Sequence, residues 1–546
     1  MRHFSLLALV PLALALAACK GEGSITDPPP GGGPPPTDGD ALEVAIAVNE
    51  GRAAISPLIY GTNQDDGVTR WTIRRYGGNR LTGYNWENNY SNAGSDFDHS
   101  SDTYLLSNAG LPASDSLVPG RAATNFHDEA LAAGAQSIIT LQMAGYAAAD
   151  ARGTVREGEV APSDRWVRVE PRKGAAFTTT PSRTDGVVYM DEFVSFLVGK
   201  YGPASSANGV KWYSLDNEPG LWSDTHPRIH PLPVGAVELA DRSIALASAA
   251  KAVDPSAGIL GPAAYGMGEL VNLQNAPDWN AVRGTRAWYV DYYLDRMKAA
   301  EATAGRRLLD VLDIHYYPEA RGDHRITSSD ATTSADAEAR LQAPRTLWDA
   351  TYRENSWIGQ SMGEFLPLIP RLEQSIAQHY PGTKLAVTEY DFGGGATVSG
   401  GIAQADVLGI FGAYGVDIAT RWNLGGTNPY VAAAFKLFRN YDGQNGTFGS
   451  TTVKTTSGDA AKLSAYASID GTDASVLHVI LLNKTAAELT ASLKLSGNPA
   501  YTKGQSWGFD ATTSTVGPRG TVSSIAAGSA SVVLPALSAV HVVLRP

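Results

Sequence analysis

Leu42, Val44, Ile46 and Val48 alternate with Glu43, Ala45, Ala47 and Asn49, the period-two pattern of a half-buried strand. Beyond it, short apolar runs recur at Leu58–Asn63, Thr72–Asn79, Ser137–Gly145, Val210–Pro219, Gly258–Gly266, Leu308–Pro318, Lys384–Asp391 and Asp417–Leu424. Stretches with helical spacing separate several of them, at Tyr189–Tyr201, Val237–Val253, Trp288–Glu301 and Pro370–His379. Strands alternating with helices predict a parallel α/β fold, a (β/α)8 TIM barrel. After about Thr451 the helical periods stop. Ala461–Ile469, Ser475–Leu482, Leu489–Leu495 and Ser529–Leu544 are strand-like, with turn residues between them. The strand at Leu42 has no neighbour in sequence to pair with, so it is expected to join this module. The expected organisation is a barrel over residues 58–430 and a discontinuous all-β sandwich domain built from 42–57 and 431–546.

The N-terminal residues predict a destination. Arg2 and His3 precede an apolar run from Phe4 to Ala18, the shape of a signal peptide and too short to span a membrane as a mature helix. Leu16-Ala17-Ala18-Cys19 resembles the bacterial lipobox, in which cleavage before the cysteine leaves its thiol to be lipidated; the plainer alternative is ordinary secretory cleavage near Ala18. Residues 20–41 include Asp27-Pro28-Pro29-Pro30-Gly31-Gly32-Gly33-Pro34-Pro35-Pro36, which forms neither helix nor sheet and acts as a semi-rigid spacer. The expectation is a protein outside the cell or lipid-anchored at the bacterial envelope, with Lys20 after the cysteine favouring the outer membrane. Cys19 is the single cysteine, so no intramolecular disulfide forms.

A net charge of −12, with no basic run, excludes a nucleic-acid surface and suits a neutral polymer. No oligomerisation signal stands out, so a monomer is expected. The 11 Trp and 23 Tyr residues supply ring faces of the kind that stack on sugars, although most rings in any chain belong to the core.

Two strand ends carry candidate chemistry. Trp212 to Leu215 leads into Asp216-Asn217-Glu218-Pro219, and Leu385 to Thr388 leads into Glu389-Tyr390-Asp391 followed by Gly393-Gly394-Gly395. Either glutamate alone also reads as a rim carboxylate capping a helix or binding an arginine. Together, on the fourth and seventh strands of one barrel rim, they match the pair in a retaining glycosidase. There one carboxylic acid protonates the leaving oxygen and the other attacks the anomeric carbon, at roughly 5–5.5 Å separation. The glycines are no phosphate cradle, because no P-loop lysine follows.

Further blocks resemble glycoside hydrolase family 44: Ile59-Tyr60-Gly61-Thr62-Asn63, Arg75-Tyr76-Gly77-Gly78-Asn79-Arg80-Leu81-Thr82-Gly83-Tyr84-Asn85-Trp86-Glu87-Asn88-Asn89, and Ser91 to Asp96. So do Met143-Ala144-Gly145-Tyr146, Asp216 to Pro219 with Leu221-Trp222 and Thr225-His226-Pro227, Leu312 to Pro318, and Leu368 to Leu372 through Thr388-Glu389-Tyr390. The resemblance implies a barrel plus β-sandwich, a retaining mechanism and internal cleavage of β-1,4-glucans, xyloglucan especially. It gives Glu218 the acid/base role and Glu389 the nucleophile role. Asp391 departs from the family pattern, where an Asn commonly follows the Glu-Tyr pair, and an added acid there would alter the nucleophile's surroundings.

Supporting residues follow from position. Asn217 is placed to hydrogen-bond a sugar hydroxyl. Asn79 and Arg80 end a strand and are candidates to hold the nucleophile or a hydroxyl, or else form a rim ion pair. His315 and Tyr317 share one face of a strand, where one of them would orient Glu389. Trp422 ends the eighth strand and is the candidate for stacking at the cleavage point, with Trp86 and Trp222 expected on rim loops at outer subsites. His315, Glu319, Asp323 and His324 do not fit a metal-binding spacing, so no metal or other cofactor is expected in catalysis. The Asn/Asp-rich loop Asn85–Asp98 leaves room for a structural calcium. The alternatives are another retaining barrel glycanase, such as a mannanase or xylanase, and a non-catalytic glycan-binding lipoprotein.

Overall fold

The computed structural model describes residues 41–497 and 501–546, apart from 65–66, 523–524 and 526–527. The expected signal peptide, Cys19 and the Pro/Gly-rich linker lie outside these residues. No helix among the described residues is long and apolar enough to cross a membrane.

Eight parallel strands close a barrel in chain order: Gly61–Thr62, Ile73–Tyr76, Gln136–Leu141, Trp212–Leu215, Gly258–Ala264, Val311–Tyr316, Lys384–Tyr390 and Ile418–Arg421. Each overlaps one of the eight apolar runs. Helices outside and side chains inside bury both faces of such strands, so they read as continuous apolar stretches; in the seventh strand only Lys384 is exposed. One layer of the barrel interior is Ile73, Ile138, Leu260, Val311, Ala386 and Ile418. Helices form at the four predicted places, as Met190–Tyr201, Ala236–Val253, Tyr289–Ala304 and Leu368–His379. Two more, Val398–Ala413 and Pro429–Arg439, pack on one another and, with Arg121–Ala132, add to the helical layer. The second straddles the expected boundary at 430/431, so the β-domain's C-terminal strands begin only at Thr451.

That domain is the expected β-sandwich, its strands hydrogen-bonded in one continuous order: Thr513–Thr521, Lys503–Asp510, Ser538–Arg545, Asp473–Asn483, Leu463–Asp470, Thr451–Ser457, Leu42–Ala47, Leu489–Ser496, Ser529–Leu534, with Ala53–Ala54 paired to Thr451–Thr452. Its strands share a core that includes Val44, Ile46, Leu481, Leu493, Val532 and Val542. The N-terminal strand sits inside this sheet. Val44 faces Leu493 in a parallel ladder and Ser457 in an antiparallel one, which makes the β-domain discontinuous. The run predicted as one strand over Ser529–Leu544 divides at Pro535–Leu537, where Leu537 has φ 44° and turns the chain.

Candidate active site

The polar groups that converge on the barrel mouth come from C-terminal strand ends, as this fold arranges its sites. Glu218 follows the fourth strand on a turn in which Asp216 and Glu218 have φ of 62° and 44°, a crowded region for any residue with a Cβ. Asp216 is fully buried and its carboxylate ties this turn down. It accepts from the N–H of Met143, Ala144 (2.9 Å) and Asn217 (2.8 Å) and from the Thr82 hydroxyl (2.6 Å). The Glu218 N–H donates to the Ala263 carbonyl at 3.0 Å. Over-determination of this kind is what lets strained backbone persist at a site.

Glu389 reaches the same space through a β-bulge. Ile314 faces Val387, but His315 faces Glu389, so Thr388 is an extra residue in the seventh strand. The Thr388 hydroxyl donates to Asp313 at 2.7 Å, and the bulge re-aims Glu389 into the mouth beside His315.

Arg75, on the second strand and buried, lies between the two strand ends. Its Nη1 donates to Glu389 Oε1 at 2.6 Å and its Nη2 to Asn217 Oδ1 at 2.7 Å. Tyr317 OH donates to the other oxygen of Glu389 at 2.8 Å. His315 Nδ1 lies 2.8 Å from Glu218 Oε1 and 3.6 Å from Glu389 Oε2. One carboxylate oxygen of Glu218, one of Glu389 and a ring nitrogen of His315 all lie within 4.8 Å of one another.

The environments of the two acids differ. Burial pushes Glu218 up to about 7, against the opposing pull of the Arg75 guanidinium. Glu389 instead has both oxygens fixed by donors, one of them charged. Burial lowers His315 to about 3, so its imidazole is neutral at any ordinary pH. A carboxylic acid that holds its proton near neutrality stands beside a carboxylate held from both sides, which is the division of labour that acid-assisted nucleophilic displacement needs.

Residues 90–320 match the family model for glycoside hydrolase family 44. The chain is 52% identical over 510 residues to endoglucanase A of Paenibacillus lautus, covering 92% of this chain and 73% of the relative. It superposes with a TM-score of 0.91 on a family-44 xyloglucanase from Paenibacillus polymyxa, at 50% identity over 93% of this chain and all of that one. A family-44 endoglucanase from Clostridium thermocellum gives the same TM-score at 52% identity, again over 93% and 100% of the two chains. The chain belongs to glycoside hydrolase family 44.

Several of the expected residues gather at the barrel mouth. Asn217 is oriented by Arg75 and donates to Asn79 Oδ1 at 3.1 Å, while Asn79 donates to Asp96. Asn79 therefore holds Asn217 and not Glu389. His315 and Tyr317 both point into the mouth, with Tyr317 on Glu389 and His315 closer to Glu218. Trp422 is half-buried beside Gly78, where a Cβ would lie 2.5 Å from the indole, so the glycine makes room for the ring.

Others are corrected. Arg80 forks onto Asp102 at 2.6 and 3.1 Å, the rim ion pair of its two alternatives, and it is Arg75 that contacts Glu389. Arg75 follows Ile73 by two residues, and Ile73 lies in the interior layer, so strand period pointed to it. Trp86 and Trp222 are fully buried, the first stacked on Phe193 at 5.2 Å and the second against His230, and neither lines a subsite. Trp357 was missed; it is 43% exposed and its side chain lies near Glu319, two residues beyond Tyr317. Asp391 pairs with the buried Arg421 at 2.9 Å, and its charge is thereby answered away from Glu389.

Proposed function

We propose that this chain is an endo-acting β-1,4-glucanase, with xyloglucan the favoured polymer, and that it works by double displacement with retention. The observation that carries the reading is the close approach of Glu218 and Glu389, whose nearest oxygens lie within 4.8 Å. That spacing suits direct attack by a carboxylate; inverting enzymes need roughly 6.5–9.5 Å to admit a water. Xyloglucan as substrate is supported by the relatives, one of which was solved with xyloglucan bound.

In the first step a Glu389 oxygen bonds the anomeric carbon as the bond to the leaving sugar oxygen breaks, and Glu218 gives that oxygen its proton. In the second, Glu218 takes a proton from water, the hydroxyl bonds the anomeric carbon, and the bond to Glu389 breaks. Neutral His315 as the Nδ1–H tautomer donates to Glu218 Oε1 and leaves the acid's proton on Oε2, free to meet the glycosidic oxygen. This chemistry needs no metal or cofactor. We further infer a monomer tethered to the cell envelope through a lipid on Cys19; palmitate labelling lost on Cys19→Ser would support the anchor, and unchanged labelling would refute it.

Retention is tested by following the anomer first released from a glucan oligosaccharide by NMR. The β-anomer is expected; the α-anomer would overturn double displacement. A 2-fluoro glucosyl reagent should leave its sugar on Glu389, found by peptide mass.

A further inference from the structure

We propose that Glu269 is a positioning residue for the acid/base, its buried carboxyl bracing the turn that carries Glu218 against the end of the fifth barrel strand. The inference rests on Glu218 being the acid. Glu269 lies in the first turn of the helix Met267–Asn272, just after that strand, and is completely buried. Its Oε2 accepts the N–H of Tyr265 at 3.0 Å, and the carboxyl packs against Gly220 of the acid's turn. A Cβ on Gly220 would sit 2.9 Å from Cδ and Oε2 of Glu269, so the close approach needs the glycine. Gly220 is two residues past Glu218.

The turn is therefore gripped from both sides by one short segment. Ala263 takes the N–H of Glu218, and the Glu269 carboxyl abuts Gly220. Glu218 itself has φ 44°, a conformation that needs such support. The ionisable groups around Glu269 are Glu218, Tyr265, Tyr289 and Tyr293. Burial, with the charge of Glu218, pushes Glu269 up to about 8, so at neutral pH and below it is mostly uncharged. A neutral acceptor of the same shape should therefore serve as well, and glutamine is one.

The full chain carrying Glu269→Ala, Glu269→Gln or Glu269→Asp is compared with Glu218→Gln on xyloglucan and on a dinitrophenyl cellooligosaccharide, whose leaving group needs no proton. For Glu269→Ala, kcat/KM should fall roughly 10–100-fold on xyloglucan and less than about threefold on the aryl substrate. Glu269→Gln should stay within about threefold of wild type on both, because its amide oxygen still accepts the Tyr265 N–H and its amide fills the same space against Gly220. Glu269→Asp, with its carboxyl drawn back, should show a smaller loss of the same leaving-group dependence and covers the case in which the alanine variant does not fold. Equal losses on both substrates, or a glutamine variant as impaired as the alanine one, would overturn the proposal. If Glu218→Gln itself shows no leaving-group dependence, the assignment of the acid fails instead.

Discussion

Arg75 does two jobs with one planar group: one nitrogen fixes Glu389 and another fixes Asn217, the neighbour of the acid. A lysine has the charge but not the fork. Arg75→Lys is accordingly expected to lower kcat/KM by about 10–100-fold while leaving the alkaline limb of the pH profile in place. Arg75→Gln removes the charge that pulls Glu218 down, so Glu218 rises further. Since the acid must be protonated to act, activity of the wild type should fall above about pH 7, and in Arg75→Gln that fall should move to higher pH. An alkaline limb that stays fixed in both variants would show that Glu218 is not the titrating acid. Glu218, Asn217 and Glu389 were legible in the sequence because each ends an apolar strand. Arg75 sits mid-strand, where only its period with Ile73 marks it as pointing inward. Trp86 and Trp222 were misread for the opposite reason: they lie in loop sequence, but the loops fold back over them.

At the scale of elements, strands buried on both faces were legible as apolar runs, and all eight barrel strands came through that signal. The strands Thr451–Ser457, Lys503–Asp510 and Thr513–Thr521 were not, since Thr, Ser, Gly and Lys dominate them and what fixes them is pairing with neighbours. The helix Val398–Ala413 escaped for lack of a polar face: all sixteen of its residues except Ala413 are buried. It is wedged between barrel and sheet so closely that a Cβ at Gly409 would meet the Tyr466 ring at 2.2 Å. Helix propensity alone would make Gly409→Ala stabilising by about 1 kcal/mol. The ring contact outweighs that, because overpacking costs about 1–3 kcal/mol. Urea unfolding of Gly409→Ala should therefore show a lowered midpoint with an unchanged slope, and a raised midpoint would mean that Tyr466 yields easily.

For the whole molecule, the question is whether the sheet is a separable appendage. Its bonds to the barrel argue otherwise. Lys484 and Asp406 form an ion pair at 2.7 Å with both side chains fully buried, and Tyr466 OH donates to the same aspartate at 2.6 Å. His541 Nδ1 meets the Leu437 carbonyl at 2.9 Å, and Tyr430 OH donates to the Asp510 carbonyl. These contacts bury the helices that follow the seventh and eighth strands, the strands that bear Glu389 and lead to Trp422. Breaking a buried ion pair from one side costs about 3–5 kcal/mol, so loss of the sheet should be felt by the barrel. The N-terminal strand is the place to test this, because Leu42–Ala47 lies inside the sheet yet precedes the entire barrel in the chain. Deleting residues up to Ala54 removes its six-residue ladder with Leu489–Ser496 and its pairing with Thr451–Ser457 without touching a barrel residue. If the two parts are one cooperative unit, calorimetry of the full chain shows a single transition, and the truncated chain melts lower and loses glucanase activity in parallel. A truncated protein with full activity and an unshifted barrel transition would show instead that the sheet merely rides on the barrel.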